Sequence, residues 1–185
     1  MSLEPALRSR TIALVGLMGA GKSSIGRRLA QALDLPFRDA DEEVERAAGR
    51  SVSDIFAELG EPAFRAGERR VISRLLTGET PHVLATGGGA FMNEETRALI
   101  ARHAVSVWLK ADVEVLARRV GRKNDRPLLK TGDPVQILGE LAAVRYPVYA
   151  QADITVDSVD TAHSATVHAI IEALRARLGP QETSE

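Results

Sequence analysis

The sequence contains no cysteine. That excludes disulfides, a thiol nucleophile and cysteine-ligated zinc, and it is compatible with a reducing compartment. Aromatics are scarce, with four Phe, two Tyr and one Trp, too few to build a stacking platform for single-stranded nucleic acid. Lysine is also scarce, four against twenty arginines, and with 25 acidic residues the net charge is -1. No global field therefore draws the chain to nucleic acid or to an anionic membrane, although single arginines can still bind anions. No apolar run approaches the ~20 residues needed to cross a bilayer. The start, "MSLEPALRSR", lacks the apolar centre and cleavage site of a signal peptide. A cytoplasmic, soluble, monomeric protein is expected. The four histidines, His82, His103, His163 and His168, are scattered. Even His163 and His168, five apart on one helix, lie on different faces, so all four read as structural.

What is present is a regular alternation. The 185 residues argue for one domain, long enough to bury a core without staples. "TIALVG" (Thr11 to Gly16) is a short apolar run of the kind buried on both faces of a parallel sheet. A helix follows from about Gly21 to Leu33, with Ile25, Leu29, Ala32 and Leu33 on one face. "PFRDAD" reads as a short strand ending in acids. "SVSDIFAELG" reads as a helix, and Pro62 opens another that runs to about Leu76. "HVLATGG" and "AVSVWL" are further strands, separated by a helix that Asn93 caps and that ends near His103. Asp112 caps the next helix. Asp133-Pro134 starts another that ends near Tyr146, and "DITVD" is a fifth strand. The last helix carries Val167, Ile170, Ile171, Leu174 and Leu178. The core spans about 11–178, with frayed tails over 1–9 and 179–185. Strands alternating with helices make an α/β protein with a parallel sheet. Ligands of such sheets bind beyond the carboxyl ends of the strands.

"GLMGAGKS" matches G-x-x-x-x-G-K-[ST] in full and lies between a strand and a helix, the context this motif requires. Backbone N–H groups of Gly19, Ala20, Gly21, Lys22, Ser23 and Ser24 can turn toward phosphate oxygens at the positive end of the helix. Lys22 reaches the β- and γ-phosphates, and Ser23 offers its hydroxyl to Mg²⁺. The loop implies a nucleoside triphosphate and leaves its use open: kinase, hydrolysing switch or nucleotide-regulated binder.

No N-K-x-D run is present for guanine. Where many ATPases carry a metal-binding acid after an apolar strand, this chain has "LATGGG". The paired acids after a strand are Asp39 and Asp41. Taken as i and i+2 of an extended segment, they face the same way, one toward a metal and one toward a substrate. Gly87, Gly88 and Gly89 allow a ligand to lie against bare main chain. Arg65 can project into the same crevice, while Arg69 and Arg70 read equally well as surface charge. Arg145 lies at a helix end just before Pro147. Two arginines, an acid and bare backbone suit a small anionic polyol, because arginine grips a carboxylate through two parallel N–H bonds.

The set "GLMGAGKSSIGRRLA", "FRDADEEVE", "SVSDIFAELGEPAFRAGE", "LATGGGAF", "RKNDRPLL" and "RYPVYAQAD" resembles the shikimate kinase family from Thr11 to about Leu178. The resemblance implies a three-layer α/β/α, P-loop NTPase fold of the nucleoside monophosphate kinase type with a five-stranded parallel sheet. It implies transfer of phosphate from ATP, with Mg²⁺, to the 3-hydroxyl of shikimate, on the route to chorismate and aromatic amino acids. By position it implies that Asp41 binds the hydroxyls and orients or deprotonates the attacking one. Asp39 acts on the Mg²⁺ side, with Ser23. Arg65 and Arg145 hold the carboxylate, and Gly87, Gly88 and Gly89 line the ring. Arg126 closes from a lid over about 119–131, and Arg119 stacks on adenine. The loop "VDSVDTAHS" departs from the family pattern in lacking a proline. Rival readings are a gluconate or nucleoside monophosphate kinase, a nucleotide-dependent signalling protein and a nucleic-acid ATPase.

Overall fold

A computed structural model describes residues 8–121, 132–158 and 162–178. Five strands form one parallel sheet in the order β2-β3-β1-β4-β5. They are β1 (Thr11–Val15), β2 (Phe37–Asp39), β3 (Val83–Ala85), β4 (Ala104–Lys110) and β5 (Ile154–Asp157). All five residues of β1 are buried, as a central strand covered on both faces demands. The expected five-stranded parallel α/β architecture is present.

The helices are α1 (Lys22–Leu33), α2 (Ala40–Ala48), α3 (Val52–Gly78), α4 (Glu94–His103), α5 (Val113–Val120), α6 (Pro134–Tyr149) and α7 (His163–Leu178). The crossover from β1 through α1 moves to the outer strand β2. Those through α3, α4 and the α5–α6 pair move the opposite way along the sheet. Right-handed crossovers of opposite direction put their helices on opposite faces. Accordingly α1 packs with α7, and α3 packs with α4, giving three layers.

Several boundaries differ from the sequence reading. α2 was not anticipated: the chain leaves β2 at Asp39 and turns at once into a helix. The buried side of α1 is Ile25, Gly26, Leu29, Ala30 and Leu33, whereas Ala32 is exposed. The two helices read on either side of Gly60 are continuous apart from that residue, whose φ of 81° and ψ of 168° break the path. Pro62 follows the break, where its missing N–H costs no helical bond. α6 continues past Tyr146 through Pro147 because its last turn seats Tyr149, which is fully buried. Arg119 and Val120, at the start of the expected lid, form the end of helix α5.

The sheet register fixes where the chemistry collects. Leu14 and Asp39 both pair with Ala85, and Val15 pairs with Trp108. The loops after β1, β2 and β3 therefore leave the sheet side by side. Thr86 ties two of them together, donating its N–H (3.1 Å) and its hydroxyl (2.9 Å) to the Leu14 carbonyl.

Candidate active site

The loop after β1 uses positive φ at Gly16 (145°), Gly19 (82°) and Gly21 (91°), a backbone path that side chains resist. Lys22, at the first position of α1, donates to the carbonyls of Gly16 (2.7 Å) and Leu17 (2.9 Å). Its ammonium thus spans the mouth of the loop. Ser23 donates its hydroxyl to Asp39 Oδ2 at 2.5 Å, so the serine and acid expected to share a metal lie together. Ser24 is exposed on the first turn of α1.

Asp39 and Asp41 share the crevice for a reason other than strand alternation. The extended segment ends at Asp39, which is the N-cap of α2; its Oδ1 accepts from the N–H of Asp41 (3.0 Å) and Glu42 (3.4 Å). Asp41 projects from the first helical turn, where a carboxylate also meets the positive end of the helix.

The glycine triplet faces four charged side chains. A Cβ on Gly87 would stand 2.3 Å from Glu68 Oε1 and 3.2 Å from Asp41 Oδ1. One on Gly88 would stand 3.3 Å from Arg145 Nη1, and one on Gly89 2.5 Å from Arg65 Nη2. A side chain at Gly87 or Gly89 would displace the Glu68 carboxyl or the Arg65 guanidinium, and one at Gly88 would crowd Arg145. Gly88 also lies against the phosphate loop, 3.6 Å from the Gly16 carbonyl by the same construction. Asp41, Arg65, Arg145 and the triplet are brought together beside Lys22, as the sequence reading expects.

Glu68 is a residue that reading left without a role. It is 1% exposed. Its Oε2 accepts from Arg65 Nη1 at 2.9 Å, and its Oε1 is buried with no hydrogen-bond partner among the described residues. Burial pushes its carboxyl above the usual range; Asp41 adds to this, while Arg65 and Arg145 oppose it. The Arg65 guanidinium is held further by Glu61 (3.2 Å) and lies over the Phe64 ring. The i, i+3 spacing of Arg65 and Glu68 on one helix was the available signal.

On the nucleotide side, Arg119 Nη1 donates to the Gly19 carbonyl (3.3 Å) and to Ser158 Oγ (3.1 Å). Ser158, 2% exposed, donates in turn to the Ala20 carbonyl at 3.0 Å. Arg119 is thus fastened between the phosphate loop and the loop after β5. Ser158 lies in the loop "VDSVDTAHS" that the sequence reading places beside adenine, although no individual role is assigned to it there. Arg126 and most of the expected lid lie outside the described residues. A cavity of about 800 Å³ between α2 and α3, lined by residues such as Val44, Ile55 and Gly67, includes none of these groups. It is a gap between helices rather than the place where the polar groups converge.

A family model described as shikimate kinase matches residues 18–175. The chain belongs to the shikimate kinase family. Over 169 residues it is 70% identical to a shikimate kinase from Caulobacter vibrioides (strain NA1000 / CB15N), spanning 91% of this chain and 84% of that protein. A shikimate kinase from Bradyrhizobium diazoefficiens is 56% identical over 180 residues, spanning 97% of this chain and 86% of that one. A solved shikimate kinase from Acinetobacter baumannii, in complex with shikimate, matches with a TM-score of 0.90 at 34% identity, covering 95% of this chain and 98% of its own. Family membership narrows the open reading of the phosphate loop to a kinase that uses ATP. It leaves the roles of individual residues to the local geometry.

Proposed function

We propose that this chain transfers the γ-phosphoryl group of ATP to the 3-hydroxyl of shikimate, using the residues gathered around the glycine triplet. Membership of the shikimate kinase family supports the reaction and its co-substrate. The observation that carries the site assignment is the packing of Asp41, Glu68, Arg145 and Arg65 around three residues that have no side chains. Arg65 and Arg145 bind the shikimate carboxylate, a pair that planar guanidinium groups suit. Asp41 binds the ring hydroxyls and orients or deprotonates the attacking one. The acceptor lies on bare main chain, beside the loop that carries the phosphates.

Phosphoryl transfer is chiefly positioning and charge stabilisation. Lys22 exchanges the Gly16 and Leu17 carbonyls for β- and γ-phosphate oxygens. Ser23 and Asp39 supply the hard oxygen ligands that suit Mg²⁺, a cation held by one or two protein groups plus substrate phosphates. That ion, when bound, neutralises charge on the transferring group. Arg119 and Ser158 border the adenine side. Exposed large apolar residues are scattered at Leu59, Val135 and Val144, in keeping with a monomer.

The test is ADP release with ATP and Mg²⁺, followed with and without shikimate, with gluconate as the competing acceptor. Release that depends on shikimate is expected. Release that depends on gluconate instead would overturn the acceptor assignment.

A further inference from the structure

The three glycines present an asymmetric backbone. The Gly87 carbonyl accepts from the Ala90 N–H (3.1 Å), and the Gly89 carbonyl accepts from the Met92 N–H (3.1 Å). The Gly88 carbonyl accepts from the Tyr149 hydroxyl. Every carbonyl of the triplet is thus occupied, while the N–H groups of Gly87, Gly88 and Gly89 have no acceptor among the described residues. The three glycines are half-buried, so their N–H groups are open to a ligand while each carbonyl already has a donor. Two of the three carbonyls are held by the local turn, and the middle one depends on a side chain 61 residues away in sequence.

We propose that Tyr149 is a positioning residue for shikimate: its hydroxyl binds the Gly88 carbonyl and so keeps the glycine triplet a surface of hydrogen-bond donors. The carbonyl of Gly88 and the N–H of Gly89 belong to one planar peptide and point in opposite directions. Fixing the first aims the second. The Tyr149 ring is fully buried, with Trp108, Tyr146 and Phe91 at centroid distances of 5.9, 6.3 and 6.4 Å. It has no freedom to follow a drifting carbonyl. Arg145 lies one turn earlier on α6; its charge opposes the effect of burial on the same hydroxyl, and its Nη1 would stand 3.3 Å from a Cβ on Gly88. The glycine surface and the carboxylate clamp thus meet at one turn of α6. Burial pushes the Tyr149 hydroxyl up to about 12, against the opposing pull of Arg145, so it remains a donor throughout the working pH range.

This role rests on shikimate being the acceptor. The test compares Tyr149→Phe with Tyr146→Phe. Tyr146 is a neighbour on the same helix and in the same aromatic cluster, and its hydroxyl also bonds a main-chain carbonyl, that of Ala111. Both variants lose one hydroxyl-to-carbonyl bond, but only the first loses it at the triplet. Tyr149→Phe is expected to raise KM for shikimate about fivefold to tenfold, the worth of about one hydrogen bond, with kcat and KM for ATP within about twofold of the parent. Tyr146→Phe leaves all three near their parent values. An unchanged shikimate KM in Tyr149→Phe, or equal effects of the two variants, overturns the role of Tyr149 alone. Failure of the parent enzyme to use shikimate overturns the acceptor assignment with it.

Should Tyr149→Phe not fold, fluorotyrosine incorporated into Tyr146→Phe alters only Tyr149, because the chain has two tyrosines. Fluorination makes the hydroxyl more acidic. Arg145 and Arg65 face it and favour the ionised form, while Tyr146 opposes it. Shikimate KM is then expected to rise toward alkaline pH earlier than in the unfluorinated protein. A coincident profile would overturn the proposal.

Discussion

Glu68 is held in a contradiction that only its neighbours make tolerable. One carboxyl oxygen bonds Arg65 and the other is buried with no partner among the described residues. Its pKa is raised, chiefly by burial, with Asp41 adding and Arg65 and Arg145 opposing. A carboxyl whose folded pKa exceeds its unfolded value stabilises the fold below the unfolded pKa, and that contribution is lost as pH rises through the folded one. Glu68→Gln keeps the shape without the titration. The parent should therefore lose thermal stability relative to Glu68→Gln as pH rises from acid toward neutral. Melting temperatures of the two proteins in matched buffers check this, and a constant difference across pH would count against it. Gly89 makes the complementary case. A methyl group there meets Arg65 at 2.5 Å, and the flexible guanidinium yields before the backbone does. Gly89→Ala should raise shikimate KM by about tenfold, the scale of a weakened charged hydrogen bond, while ATP KM holds. Steady-state kinetics in each substrate measures the split, and equal damage to both would point to a general disturbance of the fold.

Helix α3 carries Arg65 and Glu68, and it is aimed by Gly60. That residue sits in a region of φ and ψ open essentially to glycine alone. Gly60→Ala should cost about 1–3 kcal/mol. Gly67, further along the same helix, has nothing within 4 Å of its would-be Cβ. Gly67→Ala should add about 0.5–1 kcal/mol by restricting the unfolded chain and favouring helix. Chemical denaturation of both variants tests the pair; the same sign in both would undo the account. The break at Gly60 was legible, because glycine followed two residues later by proline is a stop and a restart. α2 was not. In "ADEEVERAA" Val44 is the sole large apolar residue among four acids, too weak a stripe to show a helical period. The capping role of Asp39 was hidden by its second role at the end of a strand. Glu68, Ser158 and Tyr149 lie inside the quoted stretches but carry no role in the sequence reading, for a related reason. Each acts through a partner distant in sequence or through burial, and neither shows in a linear pattern. The glycine, arginine and aspartate positions were readable because their chemistry is tied to residue type and to strand ends.

Across the whole molecule, Asp39 is one point where the phosphate loop meets the segment that presents Asp41, as Gly88 is another, against the Gly16 carbonyl. One carboxyl oxygen receives Ser23 of the phosphate loop, and the other caps the helix that presents Asp41. Two substitutions separate these duties. Asparagine caps a helix about as well as aspartate, but it removes the negative charge facing the phosphate loop. Asp39→Asn should keep the parent's melting temperature and its affinity for shikimate alone, while turnover falls and more Mg²⁺ is needed to saturate. Asp39→Ala removes the cap as well. It should lose about 1 kcal/mol of stability and also bind shikimate more weakly in the absence of nucleotide, because the first turn of α2 frays and Asp41 moves with it. Calorimetric titration of shikimate into nucleotide-free protein, beside Mg²⁺-dependence curves for turnover, distinguishes the two. If Asp39→Ala binds shikimate as the parent does, Asp41 is placed independently of the cap and Asp39 belongs to the nucleotide side alone. Weakened shikimate binding in Asp39→Ala but not in Asp39→Asn would mean that a cap at the end of β2 lets the phosphate loop set the acceptor acid.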